Sequence, residues 1–151
     1  MQWRRKFNSF TQQSFFTHCL LLPAWLLTGF TRLMVLTIPF KVYAPYLGVN
    51  YGLAAFVPLI DEKQLQRALH IGRAVRIAAN YTPWNANCQA QAIAARILFG
   101  LFSVPYSIHY GLAKDPAQKL KAHAWVCCGY AQVTGGYGFD EFTVVGVFAN
   151  I

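Results

Sequence analysis

The chain has few acidic residues: 5 of its 151 residues are Asp or Glu, against 13 that are Lys or Arg. Only 12% of the sequence is charged, roughly half the share of an average soluble domain, whereas 56% is hydrophobic. The core is therefore ample, and some apolar surface is left for a membrane or a partner to cover. The net charge of +8 suits anionic lipid, nucleic acid or an acidic peptide.

Motifs for nucleic acid, metal and disulfides are also missing. No zinc-finger, RRM or KH signature occurs, and basic residues are dispersed apart from Arg4-Arg5-Lys6, so we expect no nucleic-acid partner. No CxxC pair exists, and adjacent Cys127 and Cys128 would point to opposite faces of a strand, so we expect no metal and no other cofactor. The cysteines are not spaced as in a secreted disulfide scaffold, which favours a reduced, cytoplasmic setting.

Residues 1–60 read as an apolar segment without a secretory signal. The apolar run over residues 15–40 begins late and continues past Arg32, unlike the early apolar core of a signal peptide. Its charge-free part is long enough for a bilayer, although its first third is polar and Pro23 interrupts it. Three interpretations stay open: a buried helix, an interfacial helix that brings the protein to the membrane surface, and a membrane span.

Residues 61–151 carry the patterns of an α+β domain. Prolines and glycines make residues 39–60 a broken connector, after which Asp61 and Gln64 predict a capping box at the start of a helix. A second helix is expected from Cys88 to Phe99, ended by Gly100. Four later stretches have strand patterns and predict a small antiparallel sheet: residues 105–114, 122–128, 130–136 and 142–149.

Cys88 opens the second predicted helix, directly after a turn that contains Pro83 and Asn87. A thiolate at a helix N-terminus is stabilised by unpaired backbone N–H groups and by the helix dipole. The same N–H groups can hold the oxyanion of an acyl intermediate. The alternative interpretation is that Cys88 is a small buried residue, as free cysteines often are.

A thiolate nucleophile needs a base, and usually a group that orients the base. Among the four histidines, His123 begins the second predicted strand and shares one face with Trp125 and Cys127 by alternation. A histidine at the start of an inner strand can meet a cysteine at a helix tip. His123 is therefore the candidate base, although a lone histidine on a strand is more often structural.

Several motifs, in this order, resemble one family of cysteine peptidases. Pro83-Trp84, Asn87-Cys88, an Ala-rich helix and the HAWV stretch over residues 123–126 are similar to the lasso-peptide leader peptidases. That family includes the microcin-processing proteins and lies in the transglutaminase-like superfamily. The order and the 35-residue separation of Cys88 and His123 are more specific than either residue alone. The resemblance implies a transglutaminase-like (papain-like) core, a helix on a small antiparallel sheet, over residues 61–151, preceded by apolar N-terminal helices within residues 1–60.

The same resemblance implies roles for individual residues. Cys88 would be the nucleophile and His123 the general base and acid, while the Cys88 N–H and a neighbour such as Asn87 would hold the oxyanion. The family's third member is an acid on the strand after the histidine, and this chain has none there. Asp140 is the first candidate for that role, although it follows the Gly-rich turn.

Two neutral residues on the third predicted strand, Gln132 and Thr134, are alternatives to Asp140. A neutral amide or hydroxyl can orient an imidazole, but it stabilises an imidazolium less than a carboxylate does. The missing strand carboxylate is therefore also a sign of weakened activity.

The implied function is removal of the leader peptide from a ribosomally synthesised precursor during bacterial lasso-peptide maturation. The implied partners are the precursor leader, a separate leader-recognition protein and an ATP-dependent lasso cyclase. Two alternatives stay open. One is a transglutaminase-like acyl transferase or deamidase, and the other is a non-catalytic, membrane-docked assembly protein of the same fold.

Overall fold

A computed structural model describes residues 14–136 and 139–151 of the chain, so the Arg4-Arg5-Lys6 run lies outside the described residues. The helices are α1 (Phe15–Thr37), α2 (Phe40–Tyr43), α3 (Glu62–Asn80) and α4 (Cys88–Leu101), with 3-10 turns at Ala44–Leu47 and Phe139–Glu141. The strands are β1 (Val49–Gly52), β2 (Tyr106–Lys114), β3 (Leu120–Cys128), β4 (Ala131–Thr134) and β5 (Thr143–Asn150). The predicted α+β arrangement is confirmed.

The strands form one antiparallel sheet in the order β1-β5-β2-β3-β4. The four predicted strands are present, and β1 is an addition inside the expected connector. Gly48 turns the chain onto the edge of β5 with φ +135°, and a Cβ there would lie 2.6 Å from the Ala149 carbonyl oxygen. A four-residue, exposed edge strand carries little hydrophobic alternation, so its pairing with β5 could not be read from the sequence.

Helix α3 begins with the predicted capping box. The Gln64 N–H donates to Asp61 Oδ1 at 2.7 Å, and the Asp61 N–H donates to Gln64 Oε1 at 3.0 Å. Helix α4 continues to Leu101, two residues past its expected end, so Gly100 lies inside it. The chain turns afterwards at Ser103, whose φ is +52°.

The helices cover one face of the sheet around a single core. Ala92, Ala95 and other small residues of α4 are fully buried, which lets this helix pack closely on β3. Leu20 and Ala24 of α1 belong to the same core as Val126 of β3. Residues on both sides of position 60 therefore pack together, while the division at that position stays a prediction about the sequence.

Helix α1 runs through Pro23 without a break, contrary to the interruption expected there. Proline removes one N–H donor, and the exposed position of Pro23 avoids a clash with the packed helices. Among the described residues, α1 alone is long and apolar enough to cross a bilayer, judged by length and composition. Only one of its faces is buried.

Candidate functional site

Cys88 is the first residue of α4, and Asn87 caps that helix. The Ala90 N–H donates to Asn87 Oδ1 at 3.0 Å, whereas the N–H of Asn87 itself donates to the Asn85 carbonyl at 3.0 Å. The N–H groups of Cys88 and Gln89 have no acceptor among the described residues. The half-buried Cys88 thus has two unpaired donors in its own helical turn, as an oxyanion site requires.

The loop before Cys88 is anchored on α1. Trp84 packs on Trp25 with ring centroids 4.6 Å apart, and Gly29 leaves the space for it, since a Cβ there would lie 2.9 Å from the Trp84 ring. In addition, the Thr31 hydroxyl donates to the Ala90 carbonyl at 2.9 Å. Helix α1 therefore holds the turn that presents Cys88.

Two tyrosines lie near Cys88, and sequence reasoning had not given them a role. The buried Tyr110 hydroxyl has no partner at strict hydrogen-bond geometry among the described residues, but the Gln89 side chain, which donates to the Tyr43 hydroxyl, also lies near it. Burial raises the pKa of Tyr110, and its neighbours Tyr43 and Cys88 raise that pKa further. Tyr110 is therefore a neutral O–H donor beside the thiol. The strand alternation that puts Tyr110 on the helix side of β2 was its only signal in the sequence.

His123 lies on the other face of the sheet. In the register of β2 and β3, His123 is opposite Gly111, whereas Tyr110 is opposite Ala124, a core residue on the α4 side. Directly paired residues share a face and consecutive residues alternate. The structure therefore places the side chains of His123 and Cys88 on opposite faces, and their pairing stays a prediction.

Three neighbours hold the His123 ring. It stacks on Trp125 with centroids 5.9 Å apart and lies 5.0 Å from the Phe142 ring. Its Nε2 is 2.7 Å from the Gly135 carbonyl oxygen. Because a carbonyl can only accept, Nε2 carries the proton, and Nδ1 is left as the basic nitrogen.

Gly135 is the residue that allows this contact. Its φ is +97°, and a Cβ there would lie 2.4 Å from the Trp125 Cβ, so another side chain would push the carbonyl away from His123. A backbone carbonyl thus makes the orienting contact that we expected from a side chain.

None of the three predicted orienting side chains hydrogen-bonds His123 within the described parts of the chain. Asp140 is exposed in the 3-10 turn after the Gly-rich segment. Gln132 donates to the Thr134 and Gly136 carbonyls, and the buried Thr134 hydroxyl has no described partner. The identity of the third residue stays a prediction.

A cavity of about 820 Å³ lies between the end of α1, helix α2 and the sheet. Gln89, which follows Cys88, lines this cavity together with Tyr110 and His123. Val35, Leu36 and Phe40 make its other wall apolar. An apolar cleft of this volume with a few polar groups is typical of a binding site.

The other thiols differ from Cys88 in their surroundings. Burial raises the pKa of Cys127 to about 11 and also raises the pKa of Cys128, so both stay protonated at neutral pH. Cys19 is exposed on α1. No cluster of three or more His, Cys, Asp or Glu side chains suited to a metal occurs within residues 14–136 and 139–151.

Comparison with known proteins identifies the family. No curated protein and no solved structure gives a significant match. Residues 34–147 match the family model described as the transglutaminase-like superfamily, which is about three quarters of the chain. The match includes Cys88, His123 and the whole of β2, β3 and β4, and it begins inside α1. With its helices packed on a small antiparallel sheet, the chain belongs to the transglutaminase-like superfamily.

Proposed function

We propose that the protein is a cysteine peptidase that removes the leader from a ribosomally synthesised, lasso-type precursor peptide. The observation that carries the proposal is the position of Cys88 as the first residue of α4, with unpaired N–H groups in its own turn. The superfamily commonly uses cysteine chemistry, and the motifs from Pro83 to Val126 resemble those of leader peptidases. The cavity beside Gln89 is large enough for several residues of a peptide.

In the proposed reaction, the Cys88 thiol gives its proton to His123, its sulfur attacks the scissile carbonyl carbon, and the C–N bond of the leader junction breaks. The departing amine takes a proton from the protonated His123, leaving an acyl thioester on Cys88. Water then adds to the thioester carbon and gives a proton to His123, the C–S bond breaks to release a carboxylic acid, and His123 returns the proton to the Cys88 sulfur. The N–H groups of Cys88 and Gln89 and the free side-chain amide of Asn87 would hold the oxyanion in both halves.

His123 would serve as the base through Nδ1. The Gly135 carbonyl supports this assignment because it fixes the proton on Nε2. Because the ring lies on the face away from α4, the reaction requires it to turn into the cavity that it borders, and this movement would release the Gly135 contact that sets the tautomer of the free protein. We propose that a bound peptide carbonyl brings Cys88 and His123 together, with Asp140, Gln132 or Thr134 as candidate side-chain supports.

A non-catalytic assembly protein of the same fold is the second candidate. The opposite faces of Cys88 and His123, and the exposure of Asp140, favour it. An acyl transferase or deamidase would share the thioester and differ only in the acceptor. For the leader peptidase we expect a cytoplasmic protein working with a precursor, a separate leader-recognition protein and an ATP-dependent lasso cyclase.

Thiol labelling separates an enzyme from an assembly protein. We expect iodoacetamide at about pH 6 to modify Cys88 at least tenfold faster than the exposed Cys19, because a thiolate reacts and a thiol does not. His123→Ala should leave the rate at Cys88 unchanged in the free protein, where the two side chains lie on opposite faces of the sheet, and should abolish cleavage of the precursor. Peptide mapping by mass spectrometry reads both sites in one sample, and Cys127, with a pKa of about 11, is the slow internal reference.

Two further measurements decide the outcome. Cleavage of a lasso-type precursor at its leader junction, in the presence of a leader-recognition protein, should be abolished by Cys88→Ala and retained by Cys127→Ala. Transfer to an added primary amine instead of water would identify a transferase. If Cys88 labels no faster than Cys19 and the precursor stays intact, the peptidase proposal is wrong and the assembly protein is favoured.

A further inference from the structure

Helix α1 differs from an ordinary surface helix because large apolar residues cover its exposed face. Its packed face includes Leu20 and Ala24 but also three fully buried threonines, Thr17, Thr28 and Thr31. Their hydroxyls are satisfied by His70 Nδ1, the Trp25 carbonyl and the Ala90 carbonyl. Small and hydroxylated residues at a helix–helix contact, with large apolar residues facing outward, are typical of helices whose outer surface meets lipid.

The outward face of α1 is a continuous apolar stripe. Its members recur at three- and four-residue spacing, which puts them on one side of the helix. They are Leu22, Leu26, Phe30, Leu33 and Leu36, each at least 57% exposed. The exposed residues of α1 include no charged side chain, so nothing on this face favours water. We call these five residues the apolar stripe.

Basic residues and no acids accompany the stripe. Arg32 lies on α1 and the exposed Lys41 on the adjoining α2, and no acidic residue precedes Asp61 in the sequence. Arg4-Arg5-Lys6 also precede the helix in the sequence. This combination of an apolar face with positive charge is complementary to anionic lipid, since each basic residue near such a surface adds to binding.

Helix α3 distinguishes surface docking from a membrane span. It packs along α1 and carries four exposed basic residues, Lys63, Arg67, Arg73 and Arg76. If α1 crossed the bilayer in this packing, α3 would be drawn into hydrocarbon, where charged side chains are strongly disfavoured. An orientation with α1 in the plane of the interface keeps these charges in the headgroups or water.

We infer that the apolar stripe docks the protein on the surface of an anionic membrane, with α1 lying in the interfacial plane. The stripe ends beside the cavity, because Val35, Leu36 and Phe40 line the cavity wall. Docking would therefore bring the cavity mouth next to the membrane, so that a ligand could enter from the lipid surface. The inference does not depend on the proposed peptidase function, since it uses neither Cys88 nor His123.

Sedimentation with vesicles tests the inference. The full chain should bind vesicles of phosphatidylcholine with phosphatidylglycerol, bind pure phosphatidylcholine vesicles less, and lose affinity as salt rises from about 0.1 to about 0.5 M. The triple variant Leu22→Gln/Leu26→Gln/Leu33→Gln should reduce the partition coefficient at least tenfold, since three inserted side chains are lost. Leu120→Gln is the matched control, because Leu120 is 68% exposed but lies in the β2–β3 hairpin, and it should bind as the wild type does.

A probe on α1 reports the orientation. Cys19 is exposed on α1, and an environment-sensitive fluorophore on it, with Cys88 and Cys127 replaced by Ser, should shift to the blue on vesicle binding. Alkaline carbonate should release the bound protein. Retention after carbonate would indicate a span and overturn the inference. Equal vesicle binding by the triple variant and the wild type would also overturn the inference. The same holds if the wild type binds no vesicles and is a dimer while the triple variant is a monomer, because the stripe would then be a dimer interface.

Discussion

His109 is a buried titratable side chain that the proposed reaction does not use. It stacks on Trp125 with ring centroids 5.6 Å apart, and its Nε2 lies 3.0 Å from the Ser107 hydroxyl. Burial lowers the pKa of His109 below its ordinary value. The folded protein therefore favours the neutral imidazole, whereas the unfolded chain takes up a proton at the ordinary pKa.

The first prediction concerns the pH dependence of stability. The contribution of neutral His109 is present above the unfolded pKa of about 6.5 and is lost as the pH falls below it, because only the unfolded chain binds the proton readily. The free energy of unfolding in urea should therefore fall between about pH 7 and pH 5, and fall less in His109→Gln. An unchanged slope in His109→Gln would contradict the prediction.

Gly135 and Cys88 show that the identity of a residue does not determine which groups it contacts in the folded protein. A glycine in the VTGG stretch indicates a turn, but only its approach to Trp125 makes its carbonyl the partner of His123. Similarly, the cap by Asn87 could be expected from its place before a helix, whereas the approach of the Tyr110 hydroxyl to Gln89 and Cys88 depends on how β2 packs. Local chemistry was predictable for these residues, and their partners were not.

The elements are held together by close backbone contacts. Helix α3 crosses β4 at Gly72, where a Cβ would lie 2.6 Å from the Val133 carbonyl oxygen. Gly100, inside α4, faces open space, with no atom within 4 Å of an added Cβ. Both glycines lie within helices, but only Gly72 is in close contact with another element. Comparing alanine substitutions at the two positions therefore separates the effect of packing on stability from the effect of helix propensity.

The second prediction compares these two glycines. Gly72→Ala should lower the free energy of unfolding by about 1–3 kcal/mol, because the methyl group overpacks the contact with β4. Gly100→Ala should raise it by about 0.5–1 kcal/mol, because alanine loses less backbone entropy in a helix. Urea unfolding followed by circular dichroism measures both, and similar changes in the two variants would rule out the close contact of α3 with β4.

For the molecule as a whole, α1 belongs to the core rather than to an appendage. It contacts α3 and α4, and it shares the buried cluster with the sheet. Leu20 is 5% exposed while Leu22, two residues later, is 66% exposed. The two leucines have the same side chain and lie on the same helix, and they differ only in the helix face that they occupy.

The third prediction uses this pair. Leu20→Ala should lower the free energy of unfolding by about 2–5 kcal/mol, because it leaves a cavity in the core. Leu22→Ala should change it by less than about 0.5 kcal/mol. Tryptophan fluorescence, to which Trp25 and Trp84 contribute, and far-UV circular dichroism should give the same midpoint for Leu20→Ala. Separate midpoints would show that α1 unfolds independently of the sheet.

The sequence predicted well those features that depend on neighbours along the chain. The capping box at Asp61, the helix that starts at Cys88 and the four main strands follow from side-chain spacing and from capping chemistry, which act over a few residues. Edge strand β1 and the continuation of α1 through Pro23 were missed. Both depend on groups distant in sequence, namely the free edge of β5 and the packing of α1 on α3 and α4.

The amino-acid sequence alone determined the α+β arrangement, the excess of apolar surface and the presence of a cysteine at a helix start, because these follow from composition and local periodicity. Only the tertiary structure decided which face of each element is covered. It turned three threonines and Leu20 of α1 inward and the leucines of the apolar stripe outward, and it placed His123 on the face of the sheet away from Cys88. Strand register and helix packing set these directions, and both arise from contacts between segments far apart in the chain.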